Sequence, residues 1–179
     1  MKILTFGASN SKTSINKALA WFTATLVPGA ELEILDLSDY DLPIYSEDLE
    51  KEIGQPAAAK TFFEKIGAAD AVIVSFAEHN GSYSAAYKNL FDWASRINQK
   101  VFQNKPTVFL ATSPGPGGAS SVLASAKGSA RFFGVDLKAA VSVANFHDVF
   151  DARTGRISEP ATLADLTNAA TALALKEVA

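Results

Sequence analysis

Ala71-Val72-Ile73-Val74-Ser75-Phe76 runs directly into Ala77-Glu78-His79-Asn80-Gly81-Ser82-Tyr83-Ser84 and then into Ala85-Ala86-Tyr87-Lys88-Asn89-Leu90-Phe91-Asp92-Trp93. The first segment is short and apolar, so it reads as a strand buried on both faces. The last follows a helical pattern. Strand, polar glycine-containing turn and helix together make the repeating unit of an open parallel sheet. Such sheets take up ligands just beyond the carboxyl ends of their strands.

Working outward, the same alternation covers the rest of the chain. Lys2 to Phe6 reads as a first strand ending at Gly7. Ile15 to Val27, with Leu19, Phe22, Leu26 and Val27 at helical spacing, reads as a helix that stops at Pro28-Gly29. Glu31 to Leu37 is predicted as a second strand, and the polar stretch from Asp39 to Gly54 as a long loop. A helix over Ala57 to Gly67 precedes the third strand, Ala71 to Phe76. A helix over Ala85 to Ile97 then leads to a fourth strand over Pro106 to Thr112. Ser120 to Phe133 reads as helix, Leu137 to Val143 as the fifth strand, and Pro160 to Val178 as a closing helix. Five strands alternating with five helices predict a three-layer, doubly wound α/β sandwich. Its five-stranded parallel sheet takes the order 2-1-3-4-5, in a single domain over residues 1–179.

Composition narrows the function classes. The 179 residues are 48% hydrophobic with a net charge of −3, which offers no basic footprint for nucleic acid or an anionic membrane. There is no cysteine, which excludes disulfides, thiolate metal sites and a cysteine nucleophile. The N-terminal apolar run is too short for a signal peptide, and no stretch reaches the roughly 18 apolar residues of a membrane span. The expectation is a cytoplasmic enzyme or binding protein.

Three strand ends carry polar turns. The first, Gly7-Ala8-Ser9-Asn10-Ser11-Lys12-Thr13-Ser14-Ile15-Asn16, sets hydroxyls and amides before a helix N-terminus, whose unpaired N–H groups suit a phosphate. It matches neither the dinucleotide fingerprint nor the P-loop; ordinary helix capping explains the same residue types. In the second turn, Gly81 allows close backbone approach, Asn80 offers an amide to a heterocycle edge, and His79 offers a ring or a proton. A lone histidine is more often structural. Glu78 fits a salt bridge between subunits or a cofactor contact equally. The third turn, Thr112-Ser113-Pro114-Gly115-Pro116-Gly117-Gly118-Ala119-Ser120, makes a rigid, open backbone able to pass beneath a flat ring. Jointly the three turns line one sheet edge and point to a planar cofactor bearing a phosphate.

On these residues the chain resembles the NADPH-dependent FMN reductase family of flavodoxin-like proteins. The markers are Ser14-x-Asn16, Glu78-x-Asn80-Gly81-Ser82 with Lys88-Asn89 and Asp92-Trp93, and Ser113-Pro114-Gly115 with Gly117-Gly118. The resemblance implies FMN as cofactor and NAD(P)H as co-substrate. It places Ser9, Ser11, Ser14, Ile15 and Asn16 at the FMN phosphate. Glu78, His79, Asn80, Gly81, Ser82, Ser113, Pro114, Gly115, Gly117 and Gly118 are placed along the ring and ribityl chain. Ser11 stands where the family often has arginine, which implies either that Lys12 supplies some of the charge or that the phosphate is held more weakly, and Ala77-Glu78-His79-Asn80 replaces the usual Pro-Glu-Tyr-Asn. His79 is then the one candidate for a catalytic proton donor.

The implied activity is oxidation of NAD(P)H through bound flavin, with electrons passing to a quinone, free flavin or another small acceptor. The resemblance also implies a homodimer or homotetramer. Tyr83, Tyr87, Phe91 and Trp93 suit either such an interface or the chain's own core. Three rivals are weaker. An FMN-binding electron carrier usually has a stronger charge than −3. A hydrolase elbow at Gly7-Ala8-Ser9-Asn10-Ser11 lacks its final glycine, and a phosphorelay receiver lacks an aspartate at Ser75-Phe76. His147, Asp148 and Asp151 lie close in sequence, but their spacing reads as a surface loop, so no metal site is expected.

Overall fold

The computed structural model describes residues 1–174. Five strands, β1 (Lys2–Ala8), β2 (Glu31–Ile34), β3 (Ala71–Phe76), β4 (Lys105–Thr112) and β5 (Val135–Val143), form one parallel sheet. Their order is β2-β1-β3-β4-β5, the predicted flavodoxin-like arrangement. The helices are α1 (Ile15–Thr25), α2 (Glu47–Ile53), α3 (Ala57–Ala68), α4 (Ala85–Ile97), α5 (Ser120–Ser129), α6 (Phe146–Val149) and α7 (Pro160–Ala174).

Strand β3 shows why the sequence folds this way. Side chains alternate across a strand, so an apolar run buried on both faces feeds two cores at once. Ala71 and Ile73 join Leu19, Leu110 and Leu166 on the face covered by α1 and α7. Val72, Val74 and Phe76 join Phe62, Leu90, Phe109 and Val122 under α3, α4 and α5. Ser75 is the polar member of the run; it has no solvent exposure, and its hydroxyl donates to Asn16 Oδ1 at 2.7 Å. The aromatic residues of α4 belong to the chain's own core: Trp93 is fully buried, and its indole N–H donates to the Pro43 carbonyl at 2.8 Å. Tyr87 and Phe91 pack in the core beneath α3, α4 and α5, and Tyr83 sits against Phe76 with ring centroids 5.6 Å apart.

The three largest departures from the sequence reading lie in β2, in the segment before α3 and in α5. β2 ends at Ile34 because the Asp36 carboxylate accepts from Ser38 N at 3.0 Å and caps a single 3-10 turn over Leu37–Asp39. The segment read as a loop from Asp39 to Gly54 contains α2. That helix buries no residue and therefore shows no apolar stripe, although Ser46 caps its start and Gly54 (φ +70°) ends it. α5 stops at Ser129, four residues early, and Gly134 at φ +68° turns the chain into β5. The closing helix is described to Ala174; its predicted extension to Val178 lies outside the described residues.

Lys17 of α1 pairs with Asp36, and this ion pair holds the Asp36 carboxyl down to about 2. A depressed folded-state value stabilises the protein above the unfolded value of about 3.9, and that contribution is lost as pH falls through about 2. The pair is at the surface, so Asp36→Asn is expected to cost about 1 kcal/mol at pH 7. Urea titrations should show that difference shrinking between pH 4 and pH 2.

Candidate functional site

The sheet register brings the three strand ends together. Ala8 pairs with Phe76, and Phe76 pairs with Ala111, so β1, β3 and β4 finish within a residue of one another. The segments that follow them open onto one cleft of about 270 Å3. Ser9, Ser11, Thr13, Ser14, Ile15 and Asn16 form one wall; Ala77, Glu78 and His79 form another. Thr112, Ser113 and Pro114 complete it.

The first wall is a helix N-terminus brought tight against the sheet. Gly7 makes that approach possible: a Cβ there would lie 2.4 Å from Lys17 N and 2.7 Å from Lys17 Cα. Ser14 is the α1 N-cap, its hydroxyl accepting from Lys17 N at 3.2 Å. Ser9 Oγ accepts from Ser11 N at 3.2 Å, which folds the loop back on itself. The backbone N–H groups of Ile15 and Asn16, in the first turn of α1, are thereby left at the cleft with nearby serine and threonine hydroxyls. Such an arrangement holds a phosphate by hydrogen bonds and the helix dipole rather than by a positive side chain.

Asn16 is tied into the sheet edge. Its side chain is buried and faces inward: Oδ1 accepts from Ser75 Oγ and, at 3.1 Å, from Thr112 N, while Nδ2 donates to the Thr112 carbonyl at 3.2 Å. It ties α1 to β3 and β4 and has only its backbone N–H to offer a ligand.

The second wall is a hairpin, Glu78–His79 against Ser82–Tyr83, with Asn80 and Gly81 at its tip. Both tip residues have positive φ, +53° and +77°, as a two-residue hairpin turn of the primed type requires. Asn80, Gly81 and Ser82 are exposed and lie outside the cleft lining, so turn geometry accounts for the Asn-Gly pair. His79 is exposed at the cleft rim. Ser84 anchors the hairpin: its hydroxyl donates to the Ala8 carbonyl at 2.7 Å and accepts from Tyr87 N, capping α4.

Glu78 reaches across to the third segment. Its carboxylate accepts from Val122 N at 2.9 Å, capping α5, whose own N-cap residue Ala119 supplies no side-chain bond. The acid at this position is therefore a clamp between the hairpin and the loop over residues 113–119. Glu78→Ala is expected to cost about 1 kcal/mol of stability, with Glu78→Gln retaining most of it, as urea unfolding would show.

The third segment is strapped to the end of β5 and to α6. Asn145 N donates to the Gly115 carbonyl at 3.0 Å, Phe146 N to the Ser113 carbonyl at 3.1 Å, and Ser142 Oγ to the Gly118 carbonyl at 2.7 Å. Gly118 (φ +57°) is packed so closely that a Cβ would lie 2.4 Å from Ser142 Oγ, which explains glycine there without a ligand. Gly115, Gly117 and Gly118 lie outside the cleft lining. Thr13, Ala77 and Thr112 line it although the sequence reading did not single them out as contacts. Their signal was simple adjacency to residues that it did.

His147 and Asp148 are exposed, and no group of three metal-ligating side chains gathers among the described residues. No helix among them is long and apolar enough to cross a membrane.

Comparison with known proteins agrees with this geometry. The profile of the NADPH-dependent FMN reductase family matches residues 1–148. An NAD(P)H-dependent FMN reductase of Pseudomonas aeruginosa is 37% identical over 116 residues, 64% of this chain and 61% of that protein. An NADPH:quinone oxidoreductase of Arabidopsis thaliana is 34% identical over 125 residues, 68% of this chain and 62% of that protein. The chain thus spans about three fifths of the length of these curated relatives. Among solved structures, a flavoenzyme NAD(P)H:acceptor oxidoreductase of Paracoccus denitrificans superposes with a TM-score of 0.78 at 27% identity, covering 96% of this chain and 94% of that one. The sheet order, the cleft at its carboxyl edge and the match over residues 1–148 lead to one assignment: the chain belongs to the NADPH-dependent FMN reductase family.

Proposed function

We propose that the protein binds FMN in this cleft and oxidises NAD(P)H, passing electrons to a quinone, free flavin or another small acceptor. One observation carries the reading. An N-terminus of α1, uncluttered by acidic side chains and held close by Gly7, shares a cleft with the hairpin and the Ser113-Pro114 segment. The donor set fits a phosphate, and the two further walls leave a slot for a flat ring. The relatives' activities support the same reading.

In this account Ser9, Ser11, Thr13 and Ser14 donate hydroxyl hydrogen bonds to the phosphate, together with the backbone N–H groups of Ile15 and Asn16. Ser113 and Pro114 border the ring, and Glu78 fixes the distance between the two ring-side segments through its hold on α5. His79, at the rim, is the proton-donating candidate. Asn80, Gly81, Ser82, Gly115, Gly117 and Gly118 act through loop shape rather than contact. When bound, FMN supplies the two-electron chemistry; the chain binds it, orients it and leaves one face open to substrates. The resemblance supports a cytoplasmic homodimer or homotetramer, and one sheet serving both cores supports a single domain over residues 1–179.

Anaerobic spectroscopy tests the activity. The FMN-loaded protein should lose its visible flavin absorbance on adding NADPH or NADH and recover it with a quinone. Initial-rate plots should be parallel, since both substrates use the same open face in turn. A flavin spectrum indifferent to both nucleotides would instead indicate an electron carrier.

A further inference from the structure

A groove of about 490 Å3 lies on the other side of the first loop from the cleft, in the size range of sites for small organic ligands. Its walls are apolar and largely aromatic: Trp21 of α1, Ile34 at the end of β2, Phe146 of α6 and Phe150 of the short hairpin in which Phe150–Asp151 pairs with Arg156–Ile157. Phe146 and Phe150 stack with centroids 4.6 Å apart. Trp21 and Ile34 are 40% and 45% exposed, an apolar patch that water covers poorly. Thr13, Ser14 and Ile15 line both this groove and the cleft, so one loop separates the two.

The charges at the groove are unequal. Lys17 is neutralised by Asp36. Lys12, which the resemblance offered to the FMN phosphate but which does not line the cleft, lines the groove instead, is exposed, and has no acidic partner among the described residues. Aromatic walls, an uncommitted cation and a shared loop with a nucleotide-type cleft together select a flat heterocycle bearing a negative charge.

We propose that this groove binds the adenosine half of the nicotinamide dinucleotide, with adenine against Trp21 and the 2′-phosphate at Lys12. The nicotinamide end would then project over the shared loop toward the cleft. This rests on the reading of the cleft as the flavin site, and it predicts that Lys12 favours NADPH over NADH.

The test begins with FMN-free protein, so that it does not depend on flavin binding. The chain has two tryptophans, and Trp93 is fully buried, so a ligand in the groove quenches Trp21. Adenosine 2′,5′-bisphosphate should quench saturably, binding about tenfold tighter than AMP, as one charge-assisted contact worth about 1.4 kcal/mol requires. Lys12→Ala should erase that preference. In the FMN-loaded enzyme, Trp21→Leu should raise KM for NADPH about tenfold with kcat and FMN affinity unchanged, the pattern of lost uniform binding. The bisphosphate should compete with NADPH but not with the quinone. Absence of quenching, quenching abolished by added FMN, or an unchanged KM in Trp21→Leu would overturn the assignment. So would a fall in sedimentation mass in Trp21→Leu, which would show that a second copy of the chain covers the groove. Intact quenching in a protein that fails to bind FMN would support the adenosine site while contradicting the flavin reading.

Discussion

Replacing Asn16 with alanine is expected to destabilise the protein by about 3 kcal/mol or more and to lower its melting temperature by about 6–12 °C. Three groups lose their partner at once: the Ser75 hydroxyl, the Thr112 N–H and the Thr112 carbonyl. All three lie in residues with at most 2% exposure, so water cannot replace the amide without opening the sheet edge. Each orphaned buried group costs about 1–3 kcal/mol, whereas a surface hydrogen bond costs far less. Asn16→Asp should fare no better. A carboxylate can accept from Ser75 and Thr112 N but cannot donate to the Thr112 carbonyl, and it buries a charge. Urea unfolding of the FMN-free variants checks this. Wild-type stability with weakened FMN binding would mean that the amide faces the ligand instead of the sheet.

Gly7→Ala is expected to damage both fold and site. The added methyl would meet Lys17 N at 2.4 Å, Lys17 Cα at 2.7 Å and the Asn16 carbonyl carbon at 2.9 Å. These are helix backbone atoms and cannot swing aside as a side chain would. α1 must move off the sheet, at a cost of about 3 kcal/mol. The same movement displaces the N–H groups at the phosphate position, so FMN affinity should fall about 100-fold, equivalent to about 2.7 kcal/mol. Gly117→Ala is the control, since its Cβ would meet nothing within 4 Å. It should change stability by less than about 0.5 kcal/mol. Equal effects at Gly7 and Gly117 would contradict the packing account.

What the sequence discloses here follows the range over which each signal acts. β3 is legible because six consecutive residues carry it, and α4 because its apolar positions recur at helical spacing. α2 was hidden because it buries nothing, although Ser46 and Gly54 mark its ends. The Asn80-Gly81 pair is also a local hairpin signal, and both residues take the positive φ that such a turn requires. Asn16 and Glu78 also hold intramolecular hydrogen bonds that the sequence reading did not name. Their hydrogen bonds reach residues 96 and 44 positions away, a distance that no pattern in one sequence encodes. The groove beside α1 was beyond reach for the same reason, since it is assembled from Lys12, Trp21, Ile34 and Phe150 only when the chain folds.

The central claim is that FMN occupies the cleft at the carboxyl ends of β1, β3 and β4, with its phosphate at the start of α1. Backbone amide NMR during an FMN titration tests it most directly. The account predicts the largest shifts at Ser9 to Asn16, with a second group at Ala77 to His79 and at Thr112 and Ser113, and little change in α3 or α7. Binding that perturbs amides elsewhere and leaves Ser14, Ile15 and Asn16 unmoved would contradict it, as would a protein that takes up no FMN.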